Sequence, residues 1–229
     1  MQIDAILFDK DGTLFDFAAT WEAFARALMM KLAEGDITRA AQLGEVIGFD
    51  LHAGRYHPDS IVIAGTPAEI VEVLAPWVPG MTKPALIDML NHEASQAPQA
   101  EAVPLGPFLD HLRGHGLKLG VATNDAEAPA RVHLGGAGVQ DRFDFIAGSD
   151  SGHGAKPGPG QLLAFAAHVG VAPEHVAMVG DSTHDLLAGR AAGMRTVAVL
   201  TGMAPADELA PHADVVLAHI GEIPAWLGL

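Results

Sequence analysis

The apolar and polar positions of this 229-residue chain follow two rhythms. Ile3-Asp4-Ala5-Ile6-Leu7-Phe8 is a nearly unbroken apolar run that stops at Asp9-Lys10-Asp11-Gly12-Thr13. That is the pattern of a strand buried on both faces of a parallel sheet and ending at the sheet's carboxyl edge. Similar short runs recur over 117–123, 143–147, 176–180 and 196–200, with a candidate edge strand at 214–217. Helical patterns fall between them at about 106–113, 128–137, 160–169, 183–192 and 205–209. Alternation of this kind predicts an α/β fold with a parallel, doubly wound sheet.

Between about residues 17 and 100 the period is helical instead. Thr20 reads as the N-cap of a helix reaching Leu32, and a second helix is predicted over about 37–47. Thr66-Pro67-Ala68-Glu69 is a capping box with proline at the first helical position, opening a helix to about Trp77. A fourth helix is predicted from Lys83 to about Ser95, while Gly48 to Pro58 reads as a loop and Gln96 to Pro104 as a return linker. The expected organisation is a catalytic core of residues 1–16 and 101–229, with a helical cap of residues 17–100 placed to sit over the sheet's carboxyl edge as a lid.

Apolar residues make up 49% of the chain and charged ones 18%, which predicts an ordered globular protein. No apolar run approaches the length of a membrane span, and Asp4 and Asp9 stand where a signal peptide needs a basic flank. A cytoplasmic protein without a membrane partner, monomer or homodimer, is expected. Absence of cysteine excludes disulfides, thiolate metal sites and a cysteine nucleophile. His111 and His115 have i, i+4 spacing but no third ligand at a matching distance, and read as surface residues. A net charge of −15 argues against nucleic acid, whose binding rests on Lys and Arg neutralising phosphates. An anionic substrate must then be received locally, by a bound cation and a few basic groups.

The strands deliver such groups. The first ends in Asp9 and Asp11, the second in Thr123-Asn124-Asp125, and that of 176–180 in Asp181-Ser182-Thr183-His184-Asp185; Lys156-Pro157 places a lysine in a turn between the last two. Parallel strand ends face one way, so these residues converge on one crevice. Two acids so close must differ in protonation or share a cation. Each segment also has a plainer reading: a helix cap for Thr123 to Asp125, a solvated turn for Lys156, an ordinary strand-to-helix junction for Asp181, a first-turn acid for Asp185. Their ordered co-occurrence favours the chemical one.

On these motifs the chain resembles the haloacid dehalogenase superfamily, and within it the phosphoglycolate-phosphatase-like group with a helical cap on a Rossmann-like core. The resemblance implies that Asp9 is the nucleophile that forms an aspartyl phosphate. Asp11 is the general acid for the leaving oxygen and later the base for water, and Thr123 and Lys156 hold the transferred phosphoryl. It also implies Mg²⁺, bound by Asp181, a carboxylate oxygen of Asp9 and the backbone carbonyl of Asp11, with Asp185 acting through water or orienting the ligands. The residue types agree: a carboxylate attacks a dianion poorly unless charge is screened, Lys156 is a point charge for phosphate, and backbone N–H groups near Gly12 and Asn124 can donate to equatorial oxygens.

Some positions depart from the family pattern. Lys10 stands where an apolar or aromatic residue is usual; it either helps attract an anion or points away and salt-bridges locally, and strand alternation favours the second. Phe17 stands where relatives often carry a small polar residue. Asp11 disfavours the dehalogenase and phosphonoacetaldehyde-hydrolase branches, and Trp21, at the place of a mutase histidine, disfavours a mutase. In the cap, Arg55 within Gly54-Arg55-Tyr56-His57 is a candidate partner for a substrate carboxylate, with a plain surface residue as the alternative. The expected function is Mg²⁺-dependent hydrolysis of a small phosphorylated metabolite, phosphoglycolate first; a phosphotransferase or pyrophosphatase, or a catalytically silent binding protein, is the alternative.

Overall fold

The computed structural model describes residues 2–229. In chain order its elements are β1 (Ala5–Phe8), α1 (Phe17–Leu32), α2 (Ile37–Val46), β2 (Phe49–Asp50), β3 (Arg55–Tyr56), α3 (Pro67–Leu74), α4 (Lys83–Gln96) and α5 (Leu105–Gly114). There follow β4 (Lys118–Ala122), α6 (Glu127–Gly136), β5 (Phe145–Ala147), α7 (Gly160–Val169), β6 (Val176–Gly180), α8 (Thr183–Ala191), β7 (Arg195–Val199), α9 (Ala206–Leu209), β8 (Val215–Leu217) and α10 (Ile223–Leu227). Six strands form one parallel sheet in the order β5-β4-β1-β6-β7-β8.

The chain leaves β1 toward β4 and β5 on one side and returns to β6, β7 and β8 on the other. The strand order therefore reverses at β1, and the crevice beyond its carboxyl end is the place where open α/β sheets bind ligands. Alternation along β1 assigns the two faces. Ile6 and Phe8 pack with Phe108, Leu112 and Ile223 on one side, and Leu7 packs with Leu162, Phe165 and Met178 on the other. Burial on both faces explains why β1, β4, β6 and β7 read as continuous apolar runs.

The stretch from α1 to α4 has its own core, in which Phe24, Leu28, Leu43, Phe49, Leu74 and Leu86 come together. Its two connections to the sheet run side by side: Asp16 N–H donates to Ala100 O, and Ala102 N–H to Leu14 O. Two details differ from the sequence reading. The first cap helix starts at Phe17, one turn before the expected start, because the Asp16 side chain accepts from Ala19 N–H and takes the capping role; Thr20 lies inside the helix and donates to Asp16 O. Residues 48–58 are not simply a loop: β2 and β3 pair antiparallel there, so the cap carries a small hairpin besides its helices. Thr66 and Glu69 form the capping box as read. The C-terminal helix α10 has no counterpart in the sequence reading; it is only five residues long and ends at Gly228 with φ of 76°. No helix among the described residues is long and apolar enough to cross a membrane.

Candidate active site

Asp9 follows β1 directly, and its backbone N–H donates to Val179 O of β6. The next turn closes through Gly12, whose N–H donates to Phe15 O and whose φ is 78°. A side chain there would be strained by that backbone and would also collide with Asp181, since a Cβ on Gly12 would stand 2.3 Å from Asp181 Oδ2. Asp181 follows β6 directly and accepts from Thr13 Oγ1 at 3.2 Å. Gly202 closes in on the same carboxylate, leaving no room for a Cβ. Asp185, at the start of α8, has one oxygen in a capping box with Ser182 and the other against Lys156.

Lys156 binds the acids together. Its Nζ donates to Asp9 Oδ1 at 2.7 Å, Asp185 Oδ1 at 2.6 Å and Ala122 O at 2.8 Å. Burial works against its charge, yet the carboxylates of Asp185 and Asp9 outweigh burial and hold the lysine above its ordinary pKa. Asp9 is pushed up to about 7, chiefly by burial, with Lys156 opposing the shift and the charges of Asp185 and Asp11 adding to it. Asp181 is likewise raised by burial and by Asp9 and Asp185. One lysine therefore does not neutralise the acids, and the site has an electrostatic place for a further cation. Carboxylate oxygens of Asp9, Asp181 and Asp185 lie within 4.8 Å of one another, a hard-oxygen donor set of the kind Mg²⁺ takes.

Asp11 stands apart from that trio. Its Oδ2 is 3.0 Å from Lys10 Nζ, while its Oδ1 is buried with no hydrogen-bond partner and Asp11 lines the crevice. Lys10 is fully buried and also binds Asp125 Oδ2 at 3.0 Å and His133 Nδ1 at 2.8 Å. Of the two readings of Lys10, local ion pairing is what the structure contains. An ammonium only donates, so Nδ1 of His133 accepts and its Nε2–H donates to Ala94 O of α4 at 2.8 Å. The chain of contacts Asp11–Lys10–His133–Ala94 thus ties the first strand's turn to the cap. Nothing in the sequence singled out His133 or Asp125 for this task, because the network joins residues 115 and 123 positions apart.

His133 supplies a pH-dependent contribution. Burial, and then the charge of Lys10, lower its pKa to about 4. The unfolded chain takes up this proton near pH 6.5 and the folded one does not, so the stability it confers is full above pH 6.5 and drains as pH falls toward 4. His133→Gln, lacking the proton site, is expected to gain on the wild type by up to about 3 kcal/mol between pH 7 and pH 4 in urea unfolding; a constant difference across that range would refute the assignment.

Thr123 is buried at the end of β4 and accepts from Asp125 N–H, and Asn124 clasps the Lys156 loop in both directions while donating to Ala64 O of the cap. Both line the crevice, as do Asp9, Lys156 and Asp185. Ser182 and His184, which the sequence reading did not single out, also line it. Arg55 does not: it is exposed on the β3 hairpin and is absent from the crevice wall. His111 on α5 and His115 just after it are exposed neighbours with ring centroids 4.6 Å apart, and among the described residues no third ligand joins them.

This arrangement has close counterparts. A family model described as haloacid dehalogenase-like hydrolase matches residues 3–193. The chain is 32% identical to a phosphoglycolate phosphatase of Xanthomonas campestris pv. campestris, over 97% of this chain and 96% of that one. It is 30% identical to the phosphoglycolate phosphatase of Rhodospirillum rubrum, over 98% of this chain and 90% of that one. A crystal structure of a predicted phosphoglycolate phosphatase from Haemophilus somnus superposes with a TM-score of 0.77 at 17% identity, covering 99% of each chain, which shows a shared fold. With acids, lysine and switch-point crevice arranged as described, the chain belongs to the haloacid dehalogenase-like hydrolase family, in its phosphatase branch.

Proposed function

We propose that this phosphatase is a Mg²⁺-dependent phosphomonoester hydrolase that works through an aspartyl phosphate on Asp9. The observation that carries the reading is the division of labour between the acids: Asp9, Asp181 and Asp185 cluster around Lys156, while Asp11 faces the crevice with one oxygen unpartnered. A pure binding module has no use for that last group.

A carboxylate oxygen of Asp9 attacks phosphorus as the bond to the leaving oxygen breaks, and Asp11 gives that oxygen its proton. Water then attacks the phosphorus of the acyl phosphate, Asp11 takes the water's proton, and Asp9 is regenerated with release of phosphate. Lys156 and Thr123 receive the phosphoryl oxygens, acting in a site where low dielectric strengthens each contact. Lys10 holds Asp11 by its Oδ2 and so fixes the carboxyl group at the crevice. Asp9, Asp181 and Asp185 would hold the metal, whose charge screens nucleophile from phosphate and lets Asp9 ionise below the value of about 7 that it has without it.

The names of the relatives make phosphoglycolate the reference substrate. The test is phosphate release from a panel of phosphomonoesters against Mg²⁺ concentration, with and without chelator. Asp181→Ala is expected to raise the half-saturating Mg²⁺ concentration by roughly tenfold or more, since a cation with few protein ligands depends on each. Full turnover in excess chelator would contradict the reading.

A further inference from the structure

The crevice has two walls of opposite character. The sheet side carries the charged groups already described. The cap side is apolar: Phe17, Trp21 and Phe24 from α1, Ile63 from the segment before α3, Ile70 from α3 and Leu90 from α4. Among the cap side chains on this wall the polar groups are neutral, the indole Nε1 of Trp21 and the amide of Asn91. Trp21 Nε1 and Asn91 Oδ1 are both buried with no hydrogen-bond partner.

The cap's lysines and arginines are engaged elsewhere or turned outward. Arg26 donates to Leu51 O, Lys31 pairs with Glu93, Arg39 donates to Trp77 O, Lys83 pairs with Glu72, and Arg55 is exposed on its hairpin. On the sheet side Lys156 is taken by Asp9 and Asp185, and Lys10 by Asp11 and Asp125. The remaining basic side chain at the crevice is His184. A carboxylate on the leaving alcohol would be set against an aromatic and aliphatic wall with no cap cation to pair it, at the expense of its hydration. The chain's net charge of −15 adds an unfavourable field for each further negative charge on the substrate.

Building on the phosphomonoesterase reading above, we infer that the site selects phosphomonoesters of uncharged alcohols with an apolar body, large enough to meet the α1 and α4 wall, over phosphoglycolate. The polar side chains such a body meets on the cap wall, Trp21 and Asn91, are neutral, so an uncharged alcohol loses less there than a carboxylate does. The crevice is open to solvent on one side, and its cap wall runs from Phe17 on α1 to Leu90 on α4, farther than a glycolate carboxymethyl group reaches from a phosphoryl held at Asp9 and Lys156.

The decisive comparison is kcat/KM of the wild-type protein in Mg²⁺ for benzyl phosphate and for phosphoglycolate, both alkyl esters with leaving groups that need protonation. Benzyl phosphate is expected to exceed phosphoglycolate by roughly ten- to a hundredfold. Ile63→Lys places a cation on the half-buried part of the wall and is expected to move the ratio toward phosphoglycolate by about ten- to a hundredfold; Ala64→Lys, on the same segment, serves if the first variant does not fold. Phosphoglycolate turned over as well as or better than benzyl phosphate overturns the inference and leaves the hydrolase standing. So does an unchanged ratio in a folded lysine variant. Phosphate release from no monoester at all overturns the hydrolase reading, and the inference with it.

Discussion

Asp9→Asn is expected to lower kcat by roughly four orders of magnitude or more, because the amide keeps the shape of the nucleophile but is uncharged and a poor nucleophile toward phosphorus. The same substitution should leave the fold intact. Without divalent cation it should even raise stability at alkaline pH, and the sign follows from the pKa. Burial pushes Asp9 up to about 7 in the folded chain from the ordinary carboxylate value near 3.8, so the folded state holds a proton that the unfolded chain has already lost. Wild-type stability therefore falls as pH rises from about 4 to 7, and the penalty is complete above 7. Asn carries no such penalty. Thermal unfolding at pH 8 and pH 5 should show the variant well ahead at the first and ahead by much less at the second. Substantial turnover by Asp9→Asn would defeat the covalent mechanism, and an equal stability difference at both pH values would defeat the charge argument.

Lys156→Met should act in the opposite direction on stability. The methionine side chain is apolar and of similar length, so the packing survives while the three hydrogen bonds to Asp9, Asp185 and Ala122 O vanish. Removing one partner of a buried ion pair strands the other charges, an effect of about 3–5 kcal/mol at neutral pH. The loss should shrink in acid, where the stranded carboxyls take up protons, and shrink also on adding Mg²⁺, which supplies the missing charge. Urea unfolding across pH and Mg²⁺ concentration reads both. A loss below about 1 kcal/mol, indifferent to pH, would mean that Lys156 does not balance these acids. Activity should fall with it, since the phosphoryl loses its point charge.

The gathering of acids and lysine at the strand ends was legible because each group is local in sequence to its strand. A buried strand followed by Asp9 and Asp11, or by Asp181 and Asp185, carries both its secondary structure and its reactive groups within a dozen residues, and a parallel sheet brings such ends together whatever lies between them. Lys10, by contrast, was readable only as a choice between two directions. What decides it is a ring of partners, Asp125 and His133, far along the chain. The cap was legible as helices from capping and period, down to Thr66 and Glu69. Which of its faces meets the crevice was not, because that depends on how the whole bundle is set on the sheet. Arg55 suggested itself by charge and by loop composition; packing put the aromatic side chains of α1 in the position that a charge-based reading gave to it. The hairpin around it escaped notice since two-residue strands leave no periodicity to read.

The separate packing of the cap has a consequence for how such a protein can change. Its apolar cluster shares no residue with the clusters on either face of the sheet. Substitutions on the α1 and α4 wall therefore draw first on the stability of one body while the carboxylate trio rests on the other, the contacts from Lys10 through His133 to Ala94 being the link between them. On the selectivity inferred above, a lineage exchanges one clientele of esters for another by repainting a single wall, with the strand-end acids carried along unaltered. The Asp181 pocket, hemmed in by Gly12 and Gly202, allows no such latitude: variation there has only the direction of loss.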